Sequence, residues 1–149
     1  VSLPDLLVKD EVVDRDAFRS GILQLEHELG QHEQVDCPLK HHFAPGVYAR
    51  EILLPAGSVV IGKIHRHGHL NIISKGSGFV ATEFGRDYFN APYTFTSEPG
   101  TKRAVHAITD VIWTTIHLTE ETDLAKIEAQ IIAPSYDLLS SDPVAGVLS

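Results

Sequence analysis

Pro55-Ala-Gly-Ser-Val-Val-Ile-Gly-Lys-Ile-His-Arg-His-Gly-His-Leu-Asn-Ile-Ile-Ser-Lys-Gly76 sets three histidines at alternate positions within sequence rich in Val and Ile. Residues two apart on a strand share a face, so His65, His67 and His69 are candidates to converge on one point. An imidazole cluster at the end of a β-structure is a metal site in outline, because neutral imidazole is a good ligand for first-row divalent ions. The stretch is also framed by glycines at 57, 62, 68 and 76, and glycine marks places where the chain turns or passes close to itself.

Working outward, residues 47 to 118 read as short strands rich in Val, Ile, Thr, Phe and Tyr. Strands are expected over 47–54, 58–65, 69–75, 79–84, 87–90, 93–96, 102–108 and 111–118. Turn chemistry separates most of them, as in Pro55-Ala-Gly57, Gly76-Ser-Gly78, Gly85-Arg86, Ala91-Pro92, Pro99-Gly100 and Thr109-Asp110. No helix-length pattern interrupts them, which excludes alternating α/β and points to an all-β antiparallel barrel or jelly roll. Before this block, Phe18, Ile22, Leu25 and Leu29 form a helical stripe over 14–29, with Asp14 or Asp16 as N-cap and Gly30 as the stop. That helix has one apolar face, suited to covering an edge or end of a sheet. Residues 35 to 46, broken by Pro38, Pro45 and Gly46, read as loop. Thr119-Glu-Glu-Thr-Asp123 suits a helix N-terminus, and Leu124, Ile127 and Ile131 mark a short helix ended near Pro134. The tail from Ser140 to Ser149 has no readable period.

The central stretch resembles the first motif of the cupin family: a glycine, five residues, H-x-H, three or four residues, a glutamate, six residues and a glycine. Two registers compete. With His65-Arg66-His67 as the triplet, Asn71 takes the glutamate place and Gly78 the closing glycine, but Val59 stands where the opening glycine belongs. With Lys63-Ile64-His65 as the triplet, Gly57 and Gly76 fill both glycine places and His69 takes that of the glutamate. The glycine frame favours the second register. The family's second motif is matched loosely by Ser97-Glu-Pro-Gly-Thr-Lys-Arg103, with Arg103 in the histidine place.

The resemblance implies a cupin-type jelly-roll barrel over 47–118, a helical and loop arm over 1–46 and a helix and tail over 119–149, in a single domain. Two of the first motif's ligand places keep an imidazole, His65 and His69, while Lys63 and Arg103 occupy the others. An ammonium has no lone pair for a metal, so a pocket of Lys63, His65, His69 and Arg103 suits an anion, gripped by the Arg103 fork. A divalent ion would require Lys63 to extend outward, leaving His65 and His69 with His117. His67 falls with Gly68 in a turn, where a histidine is more often solvated than ligating. His117 on a late strand is ordinarily a core or surface histidine. His106 lies an odd offset from Arg103 and so faces the other way. No nucleophile elbow is readable, and Glu51 and Glu83 read as surface or ion-pairing carboxylates.

Composition bounds the rest. At 149 residues, with 43% apolar and 21% charged residues, one well-packed domain is expected. A net charge of −8 from 20 acidic and 12 basic residues argues against nucleic acid as a partner. No apolar run approaches the ~20 residues of a membrane span, and Val1-Ser-Leu-Pro-Asp-Leu lacks the pattern of a signal peptide, so the cytosol is the expected compartment. Cys37 is the one cysteine, which permits no internal disulfide. Nine histidines allow a pH-dependent charge below about pH 6.5.

Beyond the general motif, His41-His-Phe-Ala-Pro-Gly-Val-Tyr-Ala-Arg-Glu51, His69-Leu-Asn-Ile-Ile-Ser-Lys-Gly76 and Trp113-Thr-Thr-Ile-His117 look like small cupins encoded by bacteriophages and prophages. That likeness implies a structural or assembly module in the host cytoplasm or a virion, a homo-oligomer (dimer or trimer) in contact with other virion proteins, with a degenerate pocket and no cofactor. The alternative is a metal-dependent small-molecule enzyme, for instance an isomerase or dioxygenase, holding a single divalent metal ion on His65 and His69.

Overall fold

The structure, a computed structural model, describes residues 14–139. Helix α1 (Arg15–Leu29) begins at Asp14, whose carboxylate accepts from the backbone N–H groups of Asp16 and Ala17, and ends at Gly30. Nine antiparallel strands then form two facing sheets. One has the order β1-β2-β10-β5-β8, with β1 Leu39–Ala44, β2 Val47–Leu54, β10 Val111–Leu118, β5 His69–Lys75 and β8 Tyr93–Ser97. The other has the order β3-β9-β6-β7, with β3 Val59–Ile61, β9 Ala104–Ala107, β6 Ser77–Thr82 and β7 Gly85–Asn90. Between them lies a two-stranded ladder of β4 (Ile64–His65) and β11 (Ile132–Ala133). Helix α2 (Leu124–Ile131), capped by the Asp123 carboxylate on the Lys126 N–H, precedes β11 directly. This is a jelly-roll arrangement, all-β apart from its helices.

Inward positions of both sheets meet in one core of Leu54, Ile73, Val80, Phe89, Val105, Ala107, Val111 and Trp113. The apolar stripe of α1 packs Phe18, Ile22 and Leu25 onto the outer face of the second sheet, against Ala81 and Ala104. Two alanines there let helix and sheet approach closely, and ion pairs of Arg15 and Arg19 with Glu83 and of Lys102 with Glu26 flank the contact. Gly57 and Gly76, which fix the motif register, have φ of 83° and 94°. At Gly76 a Cβ would also stand 2.2 Å from the Asp110 carbonyl oxygen, so a side chain is excluded by both conformation and space.

Several boundaries differ from the sequence expectation: β6 is Ser77–Thr82 against the expected 79–84, β7 is Gly85–Asn90 against the expected 87–90, and β9 is Ala104–Ala107 against the expected 102–108. Residues 39 to 44, read as loop, form β1, an edge strand joined to β2 through the turn at Pro45-Gly46. Every residue of β1 is exposed, so it lacks the one-sided apolar alternation that marks a half-buried strand. The strand expected over 58–65 divides at Gly62-Lys63 into β3, which pairs with β9, and β4, which pairs with β11. The β6–β7 hairpin turns at Glu83-Phe84, two residues before the expected Gly85-Arg86. Among the described residues no helix is long and apolar enough to cross a membrane. The tail over 140–149 lies outside the described residues, as does the start of the N-terminal arm.

Candidate metal centre

The inward positions change character along the strands of the first sheet. On β10 the inward series runs Val111, Trp113, Thr115, His117; on β5 it runs Ile73, Asn71, His69; on β2 it runs Leu54, Ile52, Arg50, Tyr48. Antiparallel pairing brings the polar halves to the same end. The ladder strand β4 adds His65 from the side.

His65, His69 and His117 meet there, each offering a ring nitrogen, with all these atoms within 4.8 Å of one another. Ring centroids lie 4.4 Å apart for His65 and His69, 4.8 Å for His69 and His117 and 5.7 Å for His65 and His117. His69 and His117 are buried, and His65 nearly so. Buried Nδ1 of His65 and Nε2 of His69 have no hydrogen-bond partner. Unmade hydrogen bonds on buried polar atoms cost about 1–3 kcal/mol each, and these nitrogens, like His67 Nε2, are free to meet a ligand.

Burial, then the neighbouring His69, His117 and Arg103, pushes the His65 pKa down to about 2. Burial likewise takes His117 to about 3, with His69, Arg50 and His67 adding to it. His69 falls to about 4, again mainly through burial. All three are therefore neutral at physiological pH, the form that donates a lone pair to a metal. In a tetrahedral site, nitrogen ligands at about 2.1 Å from the ion stand about 3.4 Å apart. A pair at 4.8 Å would therefore close by about 1.4 Å around a divalent ion, and three neutral imidazoles are the donor set such an ion takes.

Arg103 lies beside the imidazoles, buried, with its guanidinium over Phe95 and Trp113 at 5.4 and 5.9 Å and donating to Ser97 Oγ. The same hydroxyl accepts from Asn71 Nδ2 at 2.6 Å, and Asn71 Oδ1 accepts from Trp113 Nε1 at 3.0 Å. This chain of bonds links Arg103, Ser97, Asn71 and Trp113 beneath the cluster and fixes the floor of the site.

Lys63 does not join the imidazoles: it extends outward and pairs with Glu128, both side chains being more than half exposed. The pocket of four expected from the motif places is thus reduced to His65, His69 and Arg103, with His117 added. The cause is the break at Gly62-Lys63, which interrupts the alternation that would have put Lys63 and His65 on one face. His67 stands in the turn outside the cluster, offering its carbonyl to His69 Nδ1 at 3.4 Å. His106, on β9 opposite Val59, lies on the helix-covered face away from the barrel interior. Glu51 faces outward to Lys40 and His42, and Glu83 binds Arg15 and Arg19.

A cavity of about 360 Å³ opens onto His65 and His117, with α2 forming part of its wall through Leu124, Ile127 and Ile131. Arg50, Tyr48 and His41 line it too, and none was singled out from the sequence. Tyr48 OH meets His41 Nδ1 at 2.8 Å, and burial raises its pKa above the usual phenol value, Arg50 opposing. The available signal was parity: Arg50 shares the inward face of β2 with Ile52 and Leu54.

No protein-family model matches this chain, and no curated protein matches its sequence. Solved structures do. The chain superimposes on a cupin superfamily protein from Desulfitobacterium hafniense with a TM-score of 0.50 at 10% identity, covering 59% of this chain and 82% of that one. It also matches a salicylate 1,2-dioxygenase from Pseudaminobacter salicylatoxidans at 0.50 and 16% identity, covering 76% of this chain and 37% of that enzyme. This chain thus spans well under half of the dioxygenase it matches. The fold is the cupin jelly roll, carrying three histidines that can form a metal site.

Proposed function

We propose that this chain is a metal-dependent cupin that holds one divalent ion on His65, His69 and His117 and binds or transforms a small molecule in the adjoining cavity. The observation that carries this reading is the buried cluster of neutral imidazoles with unpartnered nitrogens. Three imidazoles suit zinc, iron, copper or nickel better than magnesium or calcium. Such an ion would act as a Lewis acid toward a substrate oxygen. Arg103 keeps the neighbourhood positive, the Asn71–Ser97–Trp113 bonds hold the floor rigid, and the apolar wall of α2 limits water. Elemental mass spectrometry on protein purified without a tag or chelator should find about one transition metal per chain. In the His65→Ala, His69→Ala double variant the metal should be lost; unchanged metal content would sink the proposal.

The assembly role implied by the phage-cupin likeness has a separate observation in its favour. The outer face of the first sheet is covered by no helix among the described residues and exposes Leu70, Ile72 and Leu118. Contiguous exposed apolar residues of this kind suit an interface between copies. Light scattering that found only monomer at high concentration would remove this second reading.

A further inference from the structure

Arg50 occupies an inward position of β2, opposite Thr115 on one side and His41 on the other, and is half-buried. It lines the same cavity as His65 and His117. Among the described residues, its guanidinium makes no hydrogen bond or ion pair. The second cation at that cavity, Lys63, is already matched by Glu128 at the rim, and Glu128 is the one carboxylate in the lining. The cavity therefore has one unmatched positive charge. No carboxylate stands among His65, His69 and His117, so a bound divalent ion would bring its charge to the cavity without an anionic ligand to offset it. The rest of the wall is mostly aliphatic, with Ile52, Val60, Ile127 and Ile131 facing the space.

Resting on the metal-dependent reading above, we propose that the cavity selects a small organic carboxylate, its anionic group held by the Arg50 guanidinium and its apolar body against the aliphatic wall. A guanidinium fork matches a carboxylate through two parallel hydrogen bonds. A phosphate dianion would draw on more donors than this single side chain supplies. About 360 Å³ lies at the small end of ligand pockets, which limits the occupant to a compact acid.

Titration calorimetry with acetate, hexanoate and benzoate, their neutral amides, and inorganic phosphate tests this on the protein as purified and after chelator treatment. At least one carboxylate should bind, its amide about 10-fold or more weaker, and Arg50→Gln should weaken the carboxylate about 10- to 100-fold without changing metal content. Arg50→Lys, which keeps the charge and the fold but not the fork, should fall between the two. Binding of the carboxylate by Arg50→Gln as by the parent, equal binding of acid and amide, tighter binding of phosphate, or no binding at about 10 mM of any acid would each overturn the inference. Arg50-dependent binding in a protein that carries no metal would uphold it while removing the metal reading. A stoichiometric metal with no Arg50-dependent binding would do the reverse.

Discussion

The two ends of the barrel are built from the same strands and differ in what they ask of their side chains. At the closed end Leu54, Ile73, Phe89, Val111 and Trp113 fill the space between the sheets, and no polar group is stranded. Further along the same inward faces, beyond Ile52, Asn71 and Thr115, β2, β5 and β10 carry Arg50, His69 and His117, and ring nitrogens of His65 and His69 are left without partners. One end contributes stability. The other gives some up, which is what a site held ready for a ligand does.

The largest effect that would sharpen this contrast is expected at the closed end. Phe89 is 2% exposed and packs edge-on against Trp113 at 5.6 Å, so Phe89→Ala should cost about 3–5 kcal/mol in denaturant unfolding. A loss under about 1 kcal/mol would mean that this end is not the core. Acid comes next. Folding holds His65, His69 and His117 neutral, with pKa values of about 2, 4 and 3 against 6.5 when free. Below pH 6.5 the unfolded chain takes up protons that the folded one refuses. Stability should therefore be full above that pH and fall as the pH drops toward 4. Unfolding curves that do not change between pH 7 and 5 would break the comparison.

A smaller effect has the opposite sign. In metal-free protein His69→Leu removes an unpartnered buried nitrogen, so stability should rise by about 1 kcal/mol, while metal binding is lost. A clear loss of stability would mean that His69 is satisfied after all. The least expected change is at the rim: Lys63 and Glu128 are 62% and 52% exposed, and Lys63→Ala should shift stability by less than about 1 kcal/mol. A larger cost would restore Lys63 to the site.

Local signals in the sequence carried much of this. The strands over 47–54, 69–75 and 111–118 were legible to the residue because each has one buried face, and α1 was legible from its stripe and its aspartate cap. β1 was not, since an edge strand exposed along its whole length leaves no apolar period. His65 and His69 were legible from glycine spacing. His117 was visible only as a histidine on a late strand, because its nearness to His69 follows from β10 lying beside β5, a pairing between residues more than forty apart in the chain. Of the two places the sequence offered for Lys63, inside an anion pocket or extended outward, its pairing with Glu128 is the outward one; reading 58–65 as one strand could not choose between them. Arg103 stands near His65, at the place the second-motif spacing gave it, whereas Arg50 went unnoticed because a lone arginine in a strand has no motif around it.

The ladder between β4 and β11 ties the cover of the cavity to a residue of its floor. Ile132 follows α2 without a break and pairs with His65, while the Arg66 N–H donates to the Ile131 carbonyl at 2.8 Å. The helix and the imidazole are thus two arms of one short lever. A displacement of α2 would either drag His65 with it or first unfasten those few backbone bonds, so the opening of the cavity and the placement of that imidazole cannot be adjusted independently.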